Sequence, residues 1–187
     1  MTTVEGAYKL AEGLLRESLP RRWAHTQGVA ACARELAPLV GGGAEGLEMA
    51  AVLHDIGYAP PLVDTGFHPL DGARHLQALG TMSGLVVRLV ANHSFALLEA
   101  EERGLRTELA AEFPLPGDLL LVDALVYCDM TTTPDGGRTT SEERVGEILG
   151  RYGADSIVGR FIRRAAPEIH ASVGRVRAAA DDLGVVL

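Results

Sequence analysis

Apolar residues return every three or four positions along almost the whole of this 187-residue chain. Nowhere do they alternate for long enough to make a strand. That period admits helix packed on helix and little else, so the expected class is all-α, a single-domain helical bundle. The stripes are Ala7, Leu10, Ala11, Leu14 and Leu15; Trp23, Val29, Cys32 and Leu36; Leu47 and Ala50 to Leu53; Leu85, Val86, Leu89, Val90 and His93; Leu121, Val122, Leu125 and Val126; and Val145, Ile148, Leu149 and Tyr152. Between them stand the residues that start and stop helices. Thr2 with Glu5, and Thr140 with Glu143, have the spacing of capping boxes, and Asp118 suits an N-cap. Pro20 suits a first helical position, while Pro38 with Gly41-Gly42-Gly43 is expected to end that helix. Gly57 and Gly80 end others, and Pro134-Asp135-Gly136-Gly137 reads as a turn. The segment Tyr58 to Phe67 reads as a loop, and Arg103 to Phe113 as a helix, a lid or a solvated connection. The tail from Ser156 to Leu183 is expected to bend or break near Pro167.

Charge and hydropathy narrow what such a bundle can meet. The net charge of −8 argues against a nucleic-acid polymer as partner, because displacing counterions from a phosphate backbone needs a basic surface. No apolar run is long enough for a bilayer, and the start MTTVEGAYKL lacks the basic-then-apolar pattern of a signal peptide, so a cytoplasmic protein without a membrane partner is expected. In a reducing compartment Cys32 and Cys128 are expected as buried thiols, and the sequon Asn92-His93-Ser94 as accidental. Leu97, Leu98 and the aliphatic end Val185-Val186-Leu187 would suit a homodimer, though scattered apolar residues are ordinary on monomers.

The chemistry concentrates in Ala50-Ala51-Val52-Leu53-His54-Asp55-Ile56-Gly57. An apolar helix ends there on an imidazole beside a carboxylate. Burying that pair alone would cost several kcal/mol, whereas a divalent cation satisfies both. Neighbours on a helix point ~100° apart, so further ligands must come from other helices. His25 and Asp129 are polar residues in otherwise apolar surroundings, Trp23-Ala24-His25 and Val126-Tyr127-Cys128-Asp129-Met130. The residues alone leave other readings open: a hydrogen-bonded pair at His54-Asp55, a cap at Asp129, or Asp123 as ligand in its place.

The order His25, then His54-Asp55, then Asp129 resembles the signature of the HD-domain metal-dependent phosphohydrolases, with His54-Asp55-Ile56-Gly57 a common variant of its core motif. The resemblance spans roughly His25 to Met130. It implies one HD-type domain over 1–187, with the motif core at 20–135 and C-terminal helices at 140–187. It also implies His25, His54, Asp55 and Asp129 as metal ligands. His68 and His93 match the histidines that two-metal members add, with Asp55 then bridging the ions; otherwise His68 would cap the next helix and His93 lie on a buried face. The set resembles small dinuclear members that hydrolyse nucleotides or dinucleoside polyphosphates. One departure is that many members carry a basic residue soon after the HD pair, where Ile56-Gly57-Tyr58-Ala59 has none.

The ligand types imply one or two divalent ions, Fe, Mn, Co or Ni, with Mg also compatible. Coordination lowers the pKa of a water from ~16 towards ~7. The expected reaction is in-line hydrolysis of a phosphate ester or anhydride, the partner being a small phosphorylated molecule such as a nucleotide. Asp55 and Arg22 are the candidate catalytic residues, Arg22 for contacting phosphate with Arg21 and Arg74 behind it, and Asp64 a candidate for orienting water or leaving group. The stretch Glu99, Glu101 and Glu102 reads as exposed helix surface, and His75 as a surface partner of Asp71. No Gly-x-Ser-x-Gly elbow or Gly-rich Lys loop supports another hydrolytic mechanism. Two alternatives share the same ligands: an HD-fold diiron oxygenase, and a non-catalytic protein that binds metal or nucleotide.

Overall fold

The computed structural model describes residues 2–187. Its first helix, α1 (Val4–Leu15), is capped by Thr3, whose hydroxyl accepts from the Gly6 N–H. The cap is therefore one residue later than the Thr2–Glu5 box expected, since Thr3 holds the extended N-cap conformation and Glu5 turns to Lys9 at 2.6 Å. α2 (Pro20–Glu35) opens on its proline, and Pro38 falls inside a separate short helix, α3 (Ala37–Val40). α4 (Ala44–Leu53) packs along α2, and Val29, Ala30 and Ala33 of α2 share a core with Leu47, Ala50 and Ala51 of α4. Small residues on both sides allow the two helices to lie close.

After α4 come two 3-10 turns, Ile56–Tyr58 and Pro60–Leu62, the second inside the expected loop from Tyr58 to Phe67. α5 (His68–Leu79) follows and stops at Gly80, which is left-handed at φ 64°. α6 (Gly84–Asn92), α7 (Ala96–Glu102) and α8 (Arg106–Glu112) come next, so the charged stretch from Arg103 is largely helical. α9 (Leu119–Met130) is capped by Asp118 and α10 (Ser141–Tyr152) by the Thr140–Glu143 box, both as expected. α11 (Ile157–Leu183) runs unbroken through Pro167, contrary to expectation. Pro167 and Arg163, the residue whose carbonyl loses its helical donor, both face solvent, where water can take that bond. No strand forms among the described residues, and Thr132 and Arg138 make only an isolated bridge. Among the described residues no single helix is long and apolar enough to cross a membrane.

α9 is apolar on nearly every side because it separates two cores. One face, through Leu121, Ala124, Leu125 and Cys128, joins the large core of α1, α2, α4, α5 and α6. The other, through Val126 and Met130, joins a smaller one made by Val145, Ile148, Phe161, Ile162, Ala165 and Ile169 of α10 and α11. Asp123 locks this second layer, accepting from Ser172 Oγ at 2.7 Å and from both forks of Arg175. That structural role removes Asp123 as a ligand candidate. Cys32 and Cys128 are buried free thiols that lie against each other between α2 and α9. Asn92 is buried and donates to the Arg88 and Phe113 carbonyls, which leaves the sequon no room for a glycan.

Candidate metal centre

Where α4 ends, its last carbonyls lack helical donors. His54 uses one of them, donating Nδ1–H to the Ala51 carbonyl at 2.7 Å. His93, just past α6, repeats the arrangement with Val90 at 2.6 Å. His25, on α2, donates its Nδ1–H to the Thr133 carbonyl at 3.0 Å. In all three rings the bond commits Nδ1 to the main chain and leaves Nε2 to face inward.

Those nitrogens converge on two carboxylates. His54 Nε2 is 3.4 Å from Asp55 Oδ2 and 3.9 Å from Asp129 Oδ1. His25 Nε2 lies 3.0 Å from Asp129 Oδ1 and 4.0 Å from Asp55 Oδ2. His68 Nε2 approaches the other Asp55 oxygen, Oδ1, at 3.3 Å, and stands 3.1 Å from His93 Nε2. Two ligand groups result, His25–His54–Asp55 and Asp55–His68–His93, each with its ligand atoms within 4.8 Å of one another. Asp55 belongs to both and turns one oxygen to each. All six expected ligands are thus brought together from five separate elements.

The contacts fit a cation better than they fit each other. His54 Nε2 is buried without a hydrogen-bond partner. His68 and His93 turn ring nitrogens to each other at a spacing close to the roughly 3 Å between neighbouring ligands on one ion. The protonation states that ligands need are already set for four of the groups. Burial disfavours charge on Asp55 and Asp129, but Arg22 and His54 for the first, and His25 and His54 for the second, outweigh it and hold both carboxyls well below their usual range. Burial pushes His68 down to about 3 and His93 down as well, so both rings are neutral at pH 7. His54 is the exception: burial opposes its charge, yet Asp55 and Asp129 raise it to about 9.

Two close approaches and one strained turn build this geometry. A Cβ on Gly57 would lie 2.0 Å from the His68 carbonyl oxygen, so only glycine lets the turn after Asp55 touch the start of α5. A Cβ on Gly28 would lie 2.4 Å from the Gly136 carbonyl, and Gly136 itself has φ +85°. That contact seats the 133–137 turn against α2 and presents the Thr133 carbonyl to His25. Ser94 and Phe95 both hold left-handed backbone, at φ 47° and 63°, and Ser94 Oγ donates to Asp129 Oδ2. Strain of this kind persists where surrounding contacts impose it.

Around the cluster, Arg22 Nη1 donates to Asp55 Oδ2 at 2.5 Å while its guanidinium lies 3.6 Å over the Tyr58 ring. Tyr58 in turn stacks on His68 at 3.9 Å and 18°. Arg22 therefore supplies, from α2, a cation beside the HD pair that the sequence after Asp55 lacks. The other candidates fall outside. Asp64 is exposed and lines no part of the cleft; its N–H, with those of Thr65 and Gly66, donates to the buried Asp71, which turns the loop outward. Asp71 is thus a loop clamp and not the partner of His75. Arg21 pairs with Asp135 on the surface, and Arg74 with Glu108 and Glu112.

Glu99, expected on the surface, is buried and lines the cleft. Burial raises its pKa even though Arg103 grips one oxygen at 2.9 and 2.7 Å. Its i,i+4 spacing to Arg103 reads as a surface pair, and nothing in the sequence separates it from exposed Glu101. The outer wall, also unforeseen, comes from α10 and α11: Arg144, Ile148, Arg151, Tyr152, Phe161 and Ile162.

Compared with known proteins, the chain matches the family model described as HD domain over residues 22–126. The match opens at Arg22 and closes within α9, leaving α10 and α11 outside it. No curated protein and no solved structure matches the chain significantly.

Proposed function

Starting from the fact that this chain belongs to the HD-domain family, a superfamily of metal-dependent hydrolases, we propose that it hydrolyses a phosphate ester or anhydride of a nucleotide or similar small metabolite. The observation that carries the reading is the pair of ligand groups sharing Asp55, with a permanent cation, Arg22, on the same carboxylate. His25, His54, Asp55 and Asp129 would hold one ion, and His68 and His93, with Asp55, a second. Four imidazoles and two carboxylates suit Fe, Mn, Co or Ni. Such ions would supply Lewis acidity, lowering the pKa of a water and offsetting charge on phosphoryl oxygens.

The chain's own residues would do the rest. Asp55 and Asp129 stay ionised through the physiological range and so keep the centre anionic. Arg22, once a bound cation takes over Asp55, is free to turn its fork to a phosphoryl group, whose oxygens it fits in pairs. Tyr58 holds that guanidinium at the rim by its ring face. Glu99, whose carboxyl burial keeps easier to protonate, takes the place of Asp64 as the acid within the cleft. Ile148, Phe161 and Ile162 give the leaving portion an apolar wall and exclude water from it.

The test is elemental analysis of purified protein, followed by a phosphate-release screen over nucleotides with each metal under anaerobic conditions. Phosphate release is expected, and Asp55→Ala should remove both bound metal and turnover with helical content retained. Product formation that requires oxygen and releases no phosphate would replace this reading with the oxygenase one.

A further inference from the structure

Two clefts meet at the mouth of the histidine–aspartate cluster. One reaches Asp55, His68, His93 and Asp129; the other opens beside it between the start of α2 and Pro134. Arg22, Arg144 and Arg151 line both. Arg22 is already engaged by Asp55, but the two arginines of α10 are not so neutralised. Both donate to a single oxygen, Oε2 of Glu147, at 2.5 and 2.6 Å, so two positive charges share one carboxylate. Arg144 is only 8% exposed, and its Nε is buried without a partner. A buried donor left unpaired is costly unless something not yet bound completes it. In a chain of net charge −8, this is a local reversal of sign at the opening of the cleft.

We propose that Arg144 and Arg151 form a second anion subsite for the phosphoryl group next to the one attacked, so that the substrate is a phosphoanhydride and not a simple monoester. The assignment rests on the hydrolase reading of the cluster. A guanidinium matches two oxygens of one phosphoryl group, and two guanidinium groups at the junction of the clefts can hold the neighbouring phosphoryl while the scissile one lies against the ligands. In the reaction, the oxygen of water bonds to the scissile phosphorus and the bond to the bridging oxygen breaks. The electron pair leaves with the second phosphoryl group, where Arg144 and Arg151 receive the added negative charge. The two protons of water pass to the products or to solvent. No oxidant or co-reactant is needed. Because both arginines lie beyond residues 22–126, the preference would belong to the C-terminal helices of this chain.

The experiment is calorimetric binding of methylenebisphosphonate, a diphosphate that cannot be hydrolysed, and of inorganic phosphate to the Mn²⁺-loaded full-length protein. Wild type is compared with Arg144→Gln and Arg151→Gln, with circular dichroism and metal content measured on each. Wild type is expected to favour the bisphosphonate at least tenfold, and each variant to cut that preference at least fivefold. Should buried Arg144→Gln lose its helical signal, Arg151→Gln, whose side chain is 31% exposed, carries the test. An unchanged preference in folded variants, or none in wild type, overturns the subsite and leaves both arginines as struts on Glu147. Failure of metal-loaded wild type to bind either anion would instead sink the hydrolase reading beneath it.

Discussion

At the scale of the residue, three of the four histidines of the centre are prepared by what their other nitrogen does. His25, His54 and His93 donate Nδ1–H to main-chain carbonyls, so the nitrogen that faces the carboxylates is chosen before any ion arrives. His54 still carries a proton at neutral pH, because Asp55 and Asp129 raise it to about 9 from the ordinary 6.5. In the metal-free protein that shift stabilises the fold fully below pH 6.5 and is lost as the pH rises through 9. A cation has to displace the same proton, so binding is expected to strengthen by about tenfold per pH unit over this interval and to level off above it. Titrating Mn²⁺ at pH 6.5, 7.5 and 8.5 checks this, and an affinity that does not change with pH would contradict it. Much of the centre could be read from the residues, since His25, His54, Asp55 and Asp129 are polar groups set in apolar helices. His68 and His93 needed the family pattern. Asp64 was misplaced because sequence separation says how near a loop residue is to the HD pair and nothing about which way Asp71 folds that loop. Ser94 and Glu99 went unseen because a serine after a histidine, and a glutamate four before an arginine, look the same on a solvated surface.

At the scale of the element, the centre depends on how closely backbone can approach backbone. Gly57 brings the turn after α4 onto α5, and Gly28 brings α2 onto the 133–137 turn. Alanine at Gly57 would place its Cβ 2.0 Å from the His68 carbonyl oxygen, which side-chain rotation cannot relieve. Gly57→Ala is therefore expected to cost about 1–3 kcal/mol, a fall of roughly 3–10 °C in Tm. Gly28→Ala should shift the Thr133 carbonyl from His25 and weaken metal binding by about tenfold or more. Gly46, within α4, has only a Leu85 methyl at 4.0 Å, so Gly46→Ala should stabilise by about 0.4–1 kcal/mol. Thermal melts and metal titrations on the three variants separate these outcomes; equal effects at all three positions would mean that close approach is not what matters. Helix starts and stops were legible where a cap or glycine marked them, as at Asp118, Thr140 and Gly80. The tail was not, because Pro167 sits on the solvent side of α11 and the sequence does not say which side a proline will face.

At the scale of the molecule, the ligands tie together segments from residue 25 to residue 129, from the elements of the large core and from α9, the seam that divides the two cores. The apolar packing of each core is complete on its own side, but at the seam it gives way to four imidazoles and two carboxylates that no hydrophobic contact can satisfy. A cation bound there cross-links α2, α4, α5, α6 and α9, and does so only in the folded chain. Ligand that binds only the native state adds RT ln(1 + [L]/Kd), about 2.7 kcal/mol at a hundredfold excess over Kd. For a chain of this length that corresponds to roughly 5–11 °C in Tm. Stripping the protein with chelator should lower its melting temperature by that amount, and restoring Mn²⁺ or Fe²⁺ should recover it. Asp55→Ala, which removes the ligand common to both groups, should melt at the same temperature with and without metal. A chelated wild type that melts unchanged would mean that the seam is closed by its own hydrogen bonds, with Arg22 and not an ion as the lasting partner of Asp55.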